Sequence, residues 1–125
     1  MTALRSQRAQ VATYITKDGS EVRELMHPAV HGNRAQSFAE ATVAPGARTT
    51  LHRHRVTEEI YHFAAGCGVM TLGNDTFPVA AGDTVCIPPG TAHCVENTGL
   101  EPLVILCACT PAYSHEDTEL VAPGA

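Results

Sequence analysis

With 125 residues, 13.2 kDa and 44% apolar side chains, the chain has material for one hydrophobic core and no room for a second. Thirteen acidic against eight basic residues give a formal charge of -5, which argues against nucleic acid or an anionic membrane surface as partner, because affinity for those polymers comes from clustered Lys and Arg. No apolar run reaches the roughly 18 residues of a membrane span, and the residues after Met1 lack the apolar core of a secretory leader, so a cytoplasmic location is expected.

Strand-length runs separated by turn residues recur along the chain and helical periodicity is scarce, a combination that predicts an all-β sandwich or barrel. Residues 11–16 read as a strand ending at the turn Lys17, Asp18, Gly19, Ser20, and residues 21–26 return from it. Residues 27–34 are looser. Residues 36–43 form the next strand, stopped by Pro45 and Gly46, after which 48–55 resume an extended course. Residues 59–65 and 67–72 flank Gly66, and Gly73, Asn74 and Asp75 turn the chain into a short strand through Val79. Gly82 and Asp83 lead into 84–87. Pro88, Pro89 and Gly90 then interrupt the sheet, since neither proline donates a ladder hydrogen bond. Residues 93–96 are extended up to Asn97, Thr98 and Gly99, and 103–109 make the last strong strand, ended by Pro111. The acidic tail 114–125, with Glu116, Asp117 and Glu119, either covers a barrel end or frays.

The strand 103–109 is apolar on both faces. Antiparallel sheets must protect their edges and a small core gains from a partner, so a homodimer formed through a barrel face or an N-terminal strand is expected. Cys67, Cys86, Cys94, Cys107 and Cys109 are odd in number and irregular in spacing, which speaks for free thiols rather than a disulfide framework.

His52, Arg53 and His54 sit in a strand context, where alternate side chains share a face, so the two imidazoles point the same way with Cα atoms about 7 Å apart. Both can reach one ion. Glu59 follows a break at 54–57 and heads a strand able to run alongside the first, while His93 enters from a distant strand behind the rigid Pro88, Pro89, Gly90 turn. A histidine in a β-protein is more often a packing or surface residue than a ligand, and His-x-His alone is a weak signal. The carboxylate at this separation and the later histidine behind a proline-glycine turn carry the metal reading. Such a donor set suits Fe(II), Mn(II), Ni(II), Co(II) or Zn(II) without selecting among them, and leaves open positions for water, dioxygen or a bidentate substrate.

The run Gly46-x5-His52-x-His54-x4-Glu59-x6-Gly66 resembles the first cupin motif without a departure, and Gly82-x5-Pro88-x-Gly90-x2-His93-x3-Asn97 resembles the second at every defined position. The two blocks, 46–66 and 82–97, stand fifteen residues apart, as in compact single-domain cupins. The resemblance implies an all-β cupin barrel, a double-stranded β-helix or jelly roll, over residues 1–125. It also implies metal ligands at His52, His54, Glu59 and His93, with Gly46, Gly66, Gly82, Pro88, Gly90 and Asn97 shaping turns. Glu58 has the wrong spacing to Gly66 and the opposite parity, and is expected to face solvent.

Parity from Glu59 puts Tyr61 and Phe63 on the ligand side and Ile60 and His62 on the other. Tyr61 is a candidate to hydrogen-bond substrate or a metal-bound oxygen, and a satisfied core tyrosine is the plainer alternative. Arg48 shares strand parity with His52 and His54, which makes it the candidate clamp for a carboxylate substrate, whereas Arg53 and Arg55 should point away. Buried cysteines usually serve as small hydrophobes; Cys107 is of interest if its face lines the cavity. His27, His31 and His115 fall in loop-like or terminal stretches, where solvation is the ordinary fate.

The favoured function is a metal-dependent enzyme acting on a small organic molecule, with non-haem Fe(II) dioxygenase chemistry on a chelating substrate placed first. Fold alone does not choose among dioxygenase, decarboxylase, isomerase and lyase. No second acidic residue stands out as a general base, which weighs against mechanisms needing one. The alternatives are a metal-dependent sugar or keto-acid isomerase or lyase, for which a phosphate-binding basic group is thinly represented, and a non-enzymatic small-molecule-binding module.

Overall fold

The structure, a computed structural model, describes residues 2–122. Met1 and the last three residues of the acidic tail lie outside the described residues. Two antiparallel sheets face each other. The first orders its strands β1 (Tyr14–Ile15), β2 (Glu21–Met26), β3 (Ser37–Val43), β10 (Leu103–Thr110), β5 (Glu58–Ala65) and β8 (Thr84–Ile87). The second orders β11 (Thr118–Leu120), β4 (His52–His54), β9 (His93–Asn97), β6 (Cys67–Leu72) and β7 (Asp75–Ala80). From β3 to β11 consecutive strands alternate between the sheets except at the β6–β7 hairpin, which gives the all-β double-stranded β-helix predicted from the sequence.

The alternation of side chains along each strand decides what lies between the sheets. In β3 and β10 every second residue is buried, and in β5 Glu59, Tyr61 and Phe63 point inward while Glu58 and Ile60 are exposed. Phe63, Met70, Ile87, Val95, Leu103 and Ile105 fill one end of the sandwich. Burial of each such side chain contributes about 1.5–3 kcal/mol, so this end is the rigid plug on which the rest is mounted. The inward face at the other end is polar, and there the histidines gather.

Backbone requirements account for several motif residues. Gly66 joins β5 to β6 with φ +86, and a Cβ there would lie 2.7 Å from the carbonyl oxygen of Pro102. Only glycine satisfies both constraints. Asn97 is fully buried at the end of β9, where its amide nitrogen donates to the carbonyls of Val43 (2.9 Å) and Glu101 (2.8 Å) and its oxygen accepts from Gly99 N (2.9 Å). It thereby ties the β9–β10 turn to the opposite sheet.

Three parts differ from the sequence reading. β1 is only two residues long and follows a 3-10 turn at Arg8–Gln10, where Arg8 pairs with Glu40 on β3. Residues 27–34 hold a short helix, α1 (Pro28–His31), with the His27 ring accepting from Ala29 N and Gly32 ending it at φ +87. The tail does not fray over its described part: β11 pairs with β4 so that Thr118 faces His54 and Leu120 faces His52 across the ladder. Among the described residues no helix is long and apolar enough to cross a membrane.

Candidate metal centre

His52 and His54 enter the space between the sheets from β4, and His93, the first residue of β9, stands directly opposite His52 in the β4/β9 ladder. All three rings are buried and their ligating nitrogens lie within 4.8 Å of one another. The outer nitrogen of each ring is tied down. His52 Nδ1 donates to the Thr50 carbonyl at 2.7 Å and His93 Nδ1 to the Thr91 carbonyl at 2.9 Å. A carbonyl only accepts, so each Nδ1 carries the proton and, in a neutral ring, the Nε2 lone pair faces inward. His54 Nδ1 meets the hydroxyl of Thr118 at 2.9 Å, and that hydroxyl spends its own proton on the Ser114 carbonyl at 2.8 Å. The same tautomer results, so three lone pairs are aimed at one point.

Glu59 reaches this point from β5 in the opposite sheet, and not from a strand alongside β4 as the sequence allowed, because the break at 54–57 carries the chain across the sandwich. The tail holds that break: Asp117 accepts from Val56 N (2.9 Å) and Thr57 N (3.1 Å), and its carbonyl takes Arg55 N (3.0 Å). Glu59 Oε1 lies 3.2 Å from His54 Nε2 and 3.7 Å from His93 Nε2, while Oε2 accepts the Cys109 thiol at 3.2 Å. Neither Glu59 Oε1 nor His93 Nε2 has a hydrogen-bond partner. Buried lone pairs facing one another are costly unless a positive species lies between them, either shared protons or a metal ion. Burial alone would raise the Glu59 pKa, but its contacts with His54 and His93 outweigh burial and hold it down at about 2. Burial, reinforced by His93, lowers His52 to about 4, which keeps its imidazole in the neutral form that binds metals. His52, His54 and His93 therefore form a site for one divalent transition-metal ion, and their donor chemistry admits Fe(II), Mn(II), Ni(II), Co(II) or Zn(II).

The centre opens into a narrow cavity of about 50 Å³, room for a small molecule of a few heavy atoms. Tyr14, Thr16, Asp18, Ser20, Val22 and Glu24 are on its wall, and so are Tyr61, Tyr113, Cys107 and Cys109. The even-numbered run from Tyr14 to Glu24 is a strand alternation carried through the β1–β2 turn, and it is the signal in the sequence that would have found this wall. Asp18 is the functional candidate missed by the sequence reading, which saw no second carboxylate. Its Oδ1 accepts from Thr16 Oγ1 (2.5 Å), Ser20 N (2.9 Å) and Ser20 Oγ (2.7 Å), and its Oδ2 points at His52 Nε2 from 3.6 Å.

Tyr61 lies on the cavity wall as parity requires, and burial with the nearby Glu59 charge pushes its pKa up, so the phenol stays a donor. Cys107 lines the cavity too, its thiol kept protonated by burial. Arg48 does not reach the site. It is exposed, with its guanidinium 3.7 Å from Cys94 Sγ, because the stretch from Arg48 to His52 is not one strand. Thr49 turns inward to exchange hydrogen bonds with Val95, which breaks the parity on which the clamp assignment relied. His62 points away toward Thr84, and Glu58 faces solvent. His27, His31 and His115 are engaged in helix capping and with Tyr113.

A sandwich of two antiparallel sheets with a buried histidine triad open to a small cavity defines a metal-binding double-stranded β-helix. A family profile described as a cupin domain matches residues 39–109, and the chain belongs to that family. It is 50% identical over 121 residues to the uncharacterized protein MJ1618 of Methanocaldococcus jannaschii, covering 97% of both chains. It is 42% identical over 73 residues to the oxalate decarboxylase OxdC of Bacillus subtilis, which covers 54% of this chain but only 19% of that one. The crystal structure of a predicted oxalate decarboxylase from Thermotoga maritima superposes with a TM-score of 0.74 at 26% identity, covering 84% of this chain and 96% of the other. Fold, family and histidine cluster together make this a metal-binding cupin.

Proposed function

We infer that the protein is a metal-dependent lyase or isomerase of a small oxygenated molecule, with His52, His54, His93 and Glu59 holding the ion. The observation that carries the ligand set is the convergence of three Nε2 lone pairs, each fixed by its Nδ1 hydrogen bond, with the unpartnered Oε1 of Glu59. A divalent ion bound there acts as a Lewis acid on an oxygen of the bound molecule. The chain supplies the rest. Cys109 orients Glu59, the Tyr61 phenol is available to donate to a substrate oxygen, and the apolar plug behind Phe63 keeps bulk water from that side.

Resemblance to two proteins described as oxalate decarboxylases supports lyase chemistry ahead of the Fe(II) dioxygenase favoured from the sequence. Acidic and phenolic groups beside the ion supply the proton-handling side chains that the sequence reading lacked. Protein purified anaerobically is expected to carry about one ion per chain, with H52A and H93A losing it; retention at unchanged affinity in either variant overturns the ligand set. Incubation with keto acids, hydroxy-ketones and dicarboxylates in an oxygen electrode then separates the chemistries. Turnover without oxygen consumption is the expected result, and uptake matched to substrate would replace it with the dioxygenase.

The homodimer expected from the sequence is proposed to form through the outer face of the first sheet. There Phe38, Ala108 and Ile60 form a row across three strands, with Phe38 40% and Ile60 41% exposed. Sedimentation should give twice the chain mass, and F38K should lower it. Five free thiols fit a reducing cytoplasm.

A further inference from the structure

Asp18 and Glu59 approach the histidine triad separately. Glu59 Oε1 contacts His54 and His93, whereas Asp18 Oδ2 contacts His52 alone, at 3.6 Å. The other oxygen of Asp18 is saturated by three donors from Thr16 and Ser20, so the carboxylate is locked in orientation with only Oδ2 left for a molecule in the cavity. No Lys or Arg lines the cavity among the described residues, and Glu24 adds another acidic group to the same wall. Lys17, next to Asp18 in the turn, is turned outward onto the carbonyls of His115 and Thr118.

Resting on the metal-centre reading above, we propose that Asp18 is a substrate-binding residue, and that it selects an uncharged molecule bearing hydroxyl groups over a dicarboxylate. With neutral imidazoles, a divalent ion is already balanced by the carboxylates of Glu59 and Asp18. A neutral molecule entering the cavity keeps that balance, and a hydroxyl of it donates to Asp18 Oδ2. A dianion such as oxalate adds two negative charges where the wall offers no counter-charge, and its carboxylates present only acceptors to Asp18. Two unit charges about 6 Å apart in a partly buried site repel strongly enough to change affinity tenfold or more. The substrate thus differs in charge from that named for the decarboxylases.

The test uses Co(II)-loaded protein, whose visible absorption reports molecules that reach the ion, with oxalate as the dianionic probe and glycolamide, whose hydroxyl and amide oxygens chelate without loss of a proton, as the neutral one. In the wild type, the preference for glycolamide over oxalate should exceed that of free Co(II) in the same buffer by about tenfold or more. In D18N, whose amide oxygen still accepts from Thr16 and Ser20 and so keeps the turn, oxalate should tighten and glycolamide weaken. Their ratio should move about tenfold toward that of the free ion. The proposal is overturned if D18N shifts both affinities by one factor or neither, or if wild-type protein keeps the order of the free ion. Loss of Co(II) from D18N alone would make Asp18 a ligand and overturn it as well. Failure of the wild type to bind one Co(II) per chain would bring down the metal-centre reading itself, which separates the two outcomes. The wild-type comparison needs no variant, so a misfolded D18N leaves the proposal falsifiable.

Discussion

The hydroxyl of Thr118 accepts from His54 Nδ1 at 2.9 Å while donating to the Ser114 carbonyl, so a residue of the acidic tail fixes the tautomer of a metal-site histidine 64 positions away. T118V keeps the shape of the side chain and removes the acceptor. Metal affinity is expected to fall about 10- to 100-fold, as for other partners that orient a ligating imidazole. Replacement by Ser should restore it, and competition with a chromophoric chelator measures both.

Glu59 sits 95% buried with one oxygen facing two imidazoles and the other on Cys109. E59Q retains the volume but loses the charge and one strong acceptor. The expected outcome is a loss of ion stoichiometry after desalting, with far-ultraviolet circular dichroism unchanged. Full retention of metal by E59Q would remove Glu59 from the ligand set and leave the three histidines.

Acid should destabilise the metal-free protein before the carboxylates titrate. His52 has a pKa near 4 in the folded state against an ordinary value near 6.5, chiefly through burial, so below 6.5 the unfolded chain takes up the proton first. Stability is therefore full above 6.5 and declines as pH falls toward 4, by about 2 kcal/mol at pH 5. The depressed Glu59 acts at lower pH, its contribution being lost as pH falls from the ordinary carboxylate range through about 2. Thermal melts in chelator across pH 7.5 to 4 measure the first decline, and adding Zn(II) at neutral pH should raise the midpoint.

Arg48 is exposed and outside the cavity. R48A is expected to leave metal affinity and probe binding within about twofold of wild type, since a surface change away from the site is worth at most about 0.5 kcal/mol. A larger loss, seen by the same Co(II) titration, would reinstate it as a substrate clamp.

At Gly68 an added Cβ would lie 2.2 Å from the Glu96 carbonyl oxygen, inside the β6–β9 ladder. The neighbouring atom is backbone in a paired strand and has nowhere to go. G68A should cost about 2 kcal/mol or more, read from chemical denaturation of the metal-free protein.

Spacing in the sequence was enough to single out His52, His54 and His93, the cluster able to hold an ion, and to expect Glu59 with them, because strand parity and turn glycines are local properties that a pattern of residues encodes directly. The same logic placed Tyr61 on the cavity side and Glu58 and His62 off it. It failed at Arg48, where parity was extended through four residues that are not one strand: the inward turn of Thr49 toward Val95 is a contact between distant segments that no local pattern announces.

Thr118, Asp117 and Cys109 were beyond the sequence for the same reason, and the alternation that carries Asp18 did not say which end of the sandwich it would line. Each reaches the site through a pairing between segments far apart in the chain: β11 on β4, β10 on β5, and the β1–β2 turn folded over the end of the sandwich. By itself the sequence determined the fold and the three histidines that gather between the sheets. Tertiary structure decided the tautomers of the histidines, the orientation of the carboxylates and the charge of the cavity, because these depend on which distant groups become neighbours once water has been excluded.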